Sequence, residues 1–191
     1  MATPPIFSSG AVLTAAQMNA VGLWKITTAT ATSGGTMNIA SCFTSDYSRY
    51  RIVGTVIGNS ATAFDLGMRF YAGAGAPAAT GYYWGVTRVD VATGTSNVSS
   101  GNNSTYANIG AIAANNGRAF FAIDVVNPQL AQYTNWSSGA TDSRSAAGYA
   151  GITASGTLSN TTQYDSVQFG YGIWGTGTIA NLNVTVYGYQ N

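Results

Sequence analysis

A period of two governs what this chain can fold into. Phe64, Leu66, Met68 and Phe70 alternate with Asp65, Gly67, Arg69 and Tyr71. Successive side chains of a strand point to opposite faces, so this pattern builds one apolar face and one mixed face. Tyr50, Ile52, Gly54 and Val56 alternate in the same way with Arg49, Arg51, Val53 and Thr55. Towards the end, Leu182, Val184 and Val186 are expected to point inward, with Asn181, Asn183 and Thr185 outward.

Other stretches read as strands with less regular patterns. They run from Leu23 onward, Thr36 to Phe43, Tyr82 to Val91, Tyr106 to Ala113, Arg118 to Val126, Ala131 to Trp136, Tyr149 to Ala154 and Val167 to Ile173. Ser33-Gly34-Gly35 is a turn, and Gly73 to Ala79, with Pro77, is a loop. Gly94 to Ser104 and Ser137 to Ser145 are polar and are expected as loops, the first at a hairpin tip. Asn115-Asn116-Gly117 predicts a hairpin between its flanking strands. About ten short strands at near-even spacing point to a sandwich or barrel. Residues 24–191 exceed the ~100 residues of an immunoglobulin domain. The expected fold is therefore all-β, a single jelly-roll-like antiparallel β-sandwich with extra edge strands.

Composition agrees and narrows the function. There is no Glu, one Lys and no His, and only 7% of the 191 residues are charged, against about 25% in ordinary chains. Glu and Lys are the usual surface residues of helices, while the twelve Tyr, four Trp and seven Phe suit pleated sheets. A net charge of +1 gives no field for nucleic acid or an anionic membrane. Solubility rests on Ser, Thr, Asn and Gly. Such a surface suits burial against sister subunits, so a homo-oligomer is expected. No apolar run reaches the ~20 residues of a membrane helix, and Met1-Ala2-Thr3-Pro4-Pro5 does not read as a signal peptide.

Residues 1–23 form a separate opening segment. Thr14-Ala15-Ala16-Gln17 has the form of a capping box, with Leu13 one residue before the cap. The helix it predicts, Ala15 to Val21, is shorter than the ~12–15 residues that hold in water alone. It needs a surface to pack on.

Chemistry is sparse. Without His a Ser-His-Asp triad is excluded, and one Cys with no His makes a zinc site implausible. The six Asp are spread one to a strand or loop, which gives no carboxylate pair. Gly170-Tyr171-Gly172-Ile173-Trp174-Gly175 matches a dinucleotide pattern in letters only, because no helix follows. Glycine within a strand marks instead a bulge or the approach of another backbone. No enzyme, cofactor or metal is expected. Cys42 reads as a small buried hydrophobe. Tyr82, Trp84, Tyr133 and Trp136 are candidates for displaying rings to a glycan, with core packing as the competing role.

Three stretches carry a family resemblance. Gly10-Ala11-Val12-Leu13-Thr14-Ala15-Ala16-Gln17-Met18-Asn19 resembles the start of many bacteriophage minor tail and tail-fibre proteins. Phe43-Thr44-Ser45-Asp46-Tyr47-Ser48-Arg49-Tyr50-Arg51-Ile52-Val53 and the ending Asn183-Val184-Thr185-Val186-Tyr187-Gly188-Tyr189 resemble segments of the same β-rich virion proteins. The resemblance implies an oligomeric structural part of a virion with a role in host adsorption; low charge and the excess of aromatics make a symmetric trimer the expected oligomer. The resemblance also implies that residues 1–23 dock onto other virion proteins through Phe7, Val12, Leu13, Thr14, Gln17 and Met18. The absence of repeats or heptads departs from a long fibre shaft and favours a compact appendage. A capsid decoration or head-fibre protein, and a carbohydrate-binding module, remain as alternatives.

Overall fold

The computed structural model describes Gly10 and residues 22–73, 75–112, 114, 116–144, 148–170 and 178–189. The predicted helix and the docking residues Phe7, Val12, Leu13, Thr14, Gln17 and Met18 lie outside the described residues.

The described residues form twelve strands and no helix. They are β1 (Leu23–Ala31), β2 (Thr36–Ile39), β3 (Arg49–Gly58), β4 (Phe64–Tyr71), β5 (Tyr82–Asp90) and β6 (Ser96–Ser104). The remainder are β7 (Ala107–Ile112), β8 (Arg118–Val126), β9 (Thr134–Arg144), β10 (Gly148–Leu158), β11 (Ser166–Gly170) and β12 (Ile179–Tyr189). They make two antiparallel sheets, a long one of order β1-β12-β3-β8-β9-β10-β5-β6 and a short one of order β2-β11-β4-β7. The described residues are thus all-β, and the inner faces of the two sheets pack as a sandwich.

Alternation decides the inward set. On β3 Tyr50, Ile52 and Val56 are buried, on β4 Leu66, Met68 and Phe70, and on β12 Leu182, Val184 and Val186. Asn181, Asn183 and Thr185 take the other face, as the pattern predicts. Rings from both sheets meet in the middle. Phe70 lies 6.0 Å from Phe43, 6.4 Å from Tyr82, 6.3 Å from Trp136 and 5.8 Å from Tyr164, centroid to centroid. Phe121 of β8 meets Phe169 of β11 at 5.6 Å. Each such ring, fully buried, contributes about 1.5–3 kcal/mol of apolar transfer. Cys42 is fully buried, and that burial pushes its thiol up to about 12.

Glycines inside strands make room for rings. Phe121 stands opposite Gly54, Trp136 opposite Gly156 and Trp84 opposite Gly101, and each ring lies where the glycine's Cβ would be. Tyr47 covers Gly188 and Phe64 covers Gly58 in the same manner. At Gly54 and Gly156 a neighbouring backbone carbonyl comes close as well, so both a ring and a backbone need the missing side chain; Gly172 and Gly175 of the run expected to mark such an approach lie outside the described residues.

Three loop expectations also give way. Ser96–Ser104 is a strand, β6, at the edge of the long sheet. Its side chains are exposed or half-buried and uniformly polar apart from Val98, so no alternation betrays it, and backbone pairing to β5 holds it. The β5–β6 turn is closed by Asp90, whose Oδ1 accepts from the amides of Ala92 and Thr93. Ser137 to Ser145 continues as β9 to Arg144, with Trp136, Ser138, Ala140 and Asp142 inward. Finally, the turn around Asn116-Gly117 joins no hairpin, because β7 belongs to the short sheet and β8 to the long one. Asn116 does adopt φ 63°, but the reversal carries the chain across the sandwich.

β7 is an edge of the short sheet, and the long sheet protects it. Ser138 of β9 donates its hydroxyl to the carbonyl of Ile109 at 3.0 Å, which satisfies an edge acceptor that would otherwise invite another strand.

Candidate functional site

With eight strands against four, the long sheet presents the wider of the two outer faces. Its composition follows from register. One row crosses all eight strands: Thr30, Asn183, Thr55, Phe120, Thr141, Gly151, Val89 and Ser96. The row beside it reads Thr28, Thr185, Val53, Ala122, Gly139, Thr153, Thr87 and Val98. Neither row contains a charge. Cross-strand polar pairs tie the β1 end: Thr30 Oγ1 donates to Asn183 Oδ1 at 2.7 Å, and the hydroxyls of Thr28 and Thr185 lie 3.2 Å apart.

Phe120 is the ridge of this face. Its neighbours Ala119 and Phe121 point into the core, so β8 must turn Phe120 outward, where 47% of it is exposed. Hollows of about 800 Å³ and 550 Å³ lie on its two sides, the first lined by Ile57, Thr141 and Asn183, the second by Ala122, Gly139 and Thr153. They are open because Gly139 and Gly151 carry no side chain, and a Cβ at either would meet nothing within 4 Å. Val89, Val91 and Val98 extend the apolar area towards β6, and all three are exposed. Charge flanks the two rows: Arg118 borders the first hollow, and on the other side Arg51 Nε lies 3.9 Å from Asp124 Oδ1, with Tyr189 donating its hydroxyl to the same oxygen at 2.7 Å.

Such a face can pack against another neutral surface. Among the described residues no group of three or more His, Cys, Asp or Glu side chains could hold a metal ion.

The four candidate glycan rings are divided by the fold. Tyr82 and Trp136 are core residues, with Tyr82 fully buried and accepting the Phe70 amide at 2.9 Å on its hydroxyl. Trp84 is half-buried over Gly101 and meets Tyr106 at 5.7 Å. Tyr133 is exposed. The four therefore do not form one platform. Tyr83, inside the same cluster, reaches solvent as Tyr133 does, and so does Phe120, which cluster reading passes over in favour of runs of Tyr and Trp. The signal was present: in Ala119-Phe120-Phe121-Ala122-Ile123 the apolar set at 119, 121 and 123 is the inner one, which leaves Phe120 outside.

Comparison with family models, with curated proteins and with solved structures returned no match.

Proposed function

We propose that this protein is a structural component of a bacteriophage virion, a minor tail or tail-fibre-like appendage that assembles as a homotrimer and takes part in host adsorption. It acts by assembly and contact, without catalysis. The observation that carries the reading is the opening stretch Gly10-Ala11-Val12-Leu13-Thr14-Ala15-Ala16-Gln17-Met18-Asn19, set directly before a β-sandwich. In this reading residues 1–23 form the short helical anchor that docks on the virion.

Strand order supports the finer architecture. With β5–β6 and β9–β10 set aside as inserted hairpins, the long sheet reads β1-β12-β3-β8 and the short one β2-β11-β4-β7. That interleaving is the order of an eight-stranded jelly roll, two Greek keys wound together. The inserted pairs then widen one sheet through the β10–β5 ladder. The widened outer face, with its two uncharged rows, supports self-association, since exposed apolar area gains by being covered.

Deletion of residues 1–23 tests the anchor. The truncated protein is expected to fold and to be missing from particles; normal incorporation would overturn the docking role. Copies per particle separate a tail appendage from a capsid decoration, few for the first and hundreds for the second.

A further inference from the structure

At the edge of the long sheet opposite β1, strands β5 and β6 run past β7, the last strand of the short sheet. Their inner side chains meet the rim of a sheet there and not its face. A cleft of about 150 Å³ opens between them. Its floor is apolar, made by the buried Val86 and Ile152. Around it stand Arg88 of β5, Asp65 of β4, Asn108 of β7, and Asn97 and Ser99 of the exposed edge strand β6.

These groups converge with a definite charge logic. The Arg88 guanidinium lies 3.7 Å from the buried carboxylate of Asp142. Its Nη2 is itself buried and makes no hydrogen bond among the described residues. That atom is held by the Asp142 carboxylate, and it is the exposed fifth of the Arg88 side chain that can meet a ligand oxygen. On the rim Asp65 accepts a hydrogen bond from Asn108 and lies within the field of Arg88. One cation between two carboxylates leaves no net positive charge to hold an anion. The guanidinium satisfies the carboxylates from within the protein, so neither needs a bound cation. A neutral molecule that both donates and accepts is what remains: Arg88 donates, Asp65 accepts, and Asn97, Ser99 and Asn108 do either. Next along the same side of β5 stands Trp84, paired with Tyr106, which offers ring faces to apolar C–H groups.

We propose that this cleft binds one neutral sugar residue. The volume corresponds to about five waters at liquid density, the scale of a single pyranose ring and not of an extended chain. Hydroxyls would bond Arg88 and Asp65, and the apolar face of the ring would lie on Val86. The inference does not rest on the virion reading, because it is measured on the isolated protein, whereas incorporation is measured on particles.

The test is a titration of the ¹⁵N-labelled full chain with glucose, galactose, mannose and N-acetylglucosamine in turn, with inorganic phosphate as the contrasting probe. At least one sugar is expected to shift the amides of Val86, Arg88, Asn97 and Ser99 saturably, and phosphate is not. Ser99→Phe, on the exposed edge strand, should fill the cleft and abolish those shifts with thermal unfolding unchanged. Asn97→Ala, which leaves β6 pairing intact, should weaken binding about fivefold, the loss of about one hydrogen bond. No saturable shift with any of the four sugars overturns the proposal. So does a preference for phosphate, or binding that survives Ser99→Phe.

Discussion

Phe121 lies across Gly54, the residue directly opposite it on the neighbouring strand. A Cβ at position 54 would fall inside the Phe121 ring and 2.9 Å from the carbonyl oxygen of Asn183. The ring is pinned from the other sheet by Phe169, so it has nowhere to retreat. Gly54→Ala is therefore expected to lower stability by about 2–3 kcal/mol through overpacking. Gly139→Ala, where a Cβ meets nothing within 4 Å, is the control and should be neutral or slightly stabilising. Urea unfolding of the two variants checks the contrast. Equal midpoints would mean that the glycine is not there to seat the ring.

Tyr50 ties the start of β3 to the loop before it. Its hydroxyl accepts the Thr44 amide at 2.7 Å and donates to the Thr44 carbonyl. The ring is also held edge-on by Phe43 at 4.8 Å. Tyr50→Phe keeps the ring and strands both Thr44 groups, which should cost about 1–3 kcal/mol. Amide exchange at Thr44 should accelerate more than at strand positions such as Ile52. An unchanged exchange rate at Thr44 would show that the hydroxyl is not the tie.

High pH should unfold the protein, with a definite sign. Burial raises the Cys42 thiol from its ordinary 9.0 to about 12, and raises the hydroxyls of Tyr50, Tyr82 and Tyr106 as well. Between pH 9.0 and about 12 the native state keeps the Cys42 proton while the unfolded chain has lost it. The unfolded state then binds fewer protons, so stability falls as pH rises, by about 1.4 kcal/mol per pH unit from this group alone. Cys42→Ala should flatten the slope of unfolding free energy against pH in that window. Its cavity lowers stability at neutral pH but does not alter the slope. An identical slope in wild type and variant would remove the thiol from the account.

Phe120 gives a prediction of the opposite kind. It lies on the outer face with 47% of its surface exposed, so Phe120→Asp should leave monomer stability within about 0.5 kcal/mol of wild type. On the reading that this face is covered by sister subunits, the same change should abolish self-association in light scattering. A variant that still assembles would free the outer face of the long sheet from that role.

The parts of this fold legible in the sequence are those where one face is buried and the other wet. β3, β4 and β12 read correctly because Ile52, Leu66 and Val184 must alternate with polar partners. β6 was invisible because its stability comes from backbone pairing to β5, and Ser, Asn and Gly carry no burial signal. β9 looked like a loop because its outward positions are Ser137, Gly139 and Thr141, small residues that suit a flat outer face as well as a turn. The assignment of strands to sheets lies further from the sequence. Asn116-Gly117 announces a reversal, but only the long-range pairing of β8 with β3 says that the reversal crosses layers. The sugar cleft was illegible for a related reason: Asp65, Arg88 and Asn108 come from three strands, and no local spacing brings them together.

Leu23 pairs with Tyr189, so the first and last strands leave the domain side by side at one corner. This makes the sandwich a closed circuit in all but covalent bond. A short linker across that corner, with the chain reopened at the exposed Asp90–Thr95 turn, would preserve every strand pairing while moving both ends to the opposite edge of the long sheet. Cargo fused after Tyr189 of the original chain would emerge beside Leu23, and cargo fused to the permuted chain would emerge near β6 and the cleft. The architecture thus lets the point of tethering be chosen without redesigning the core.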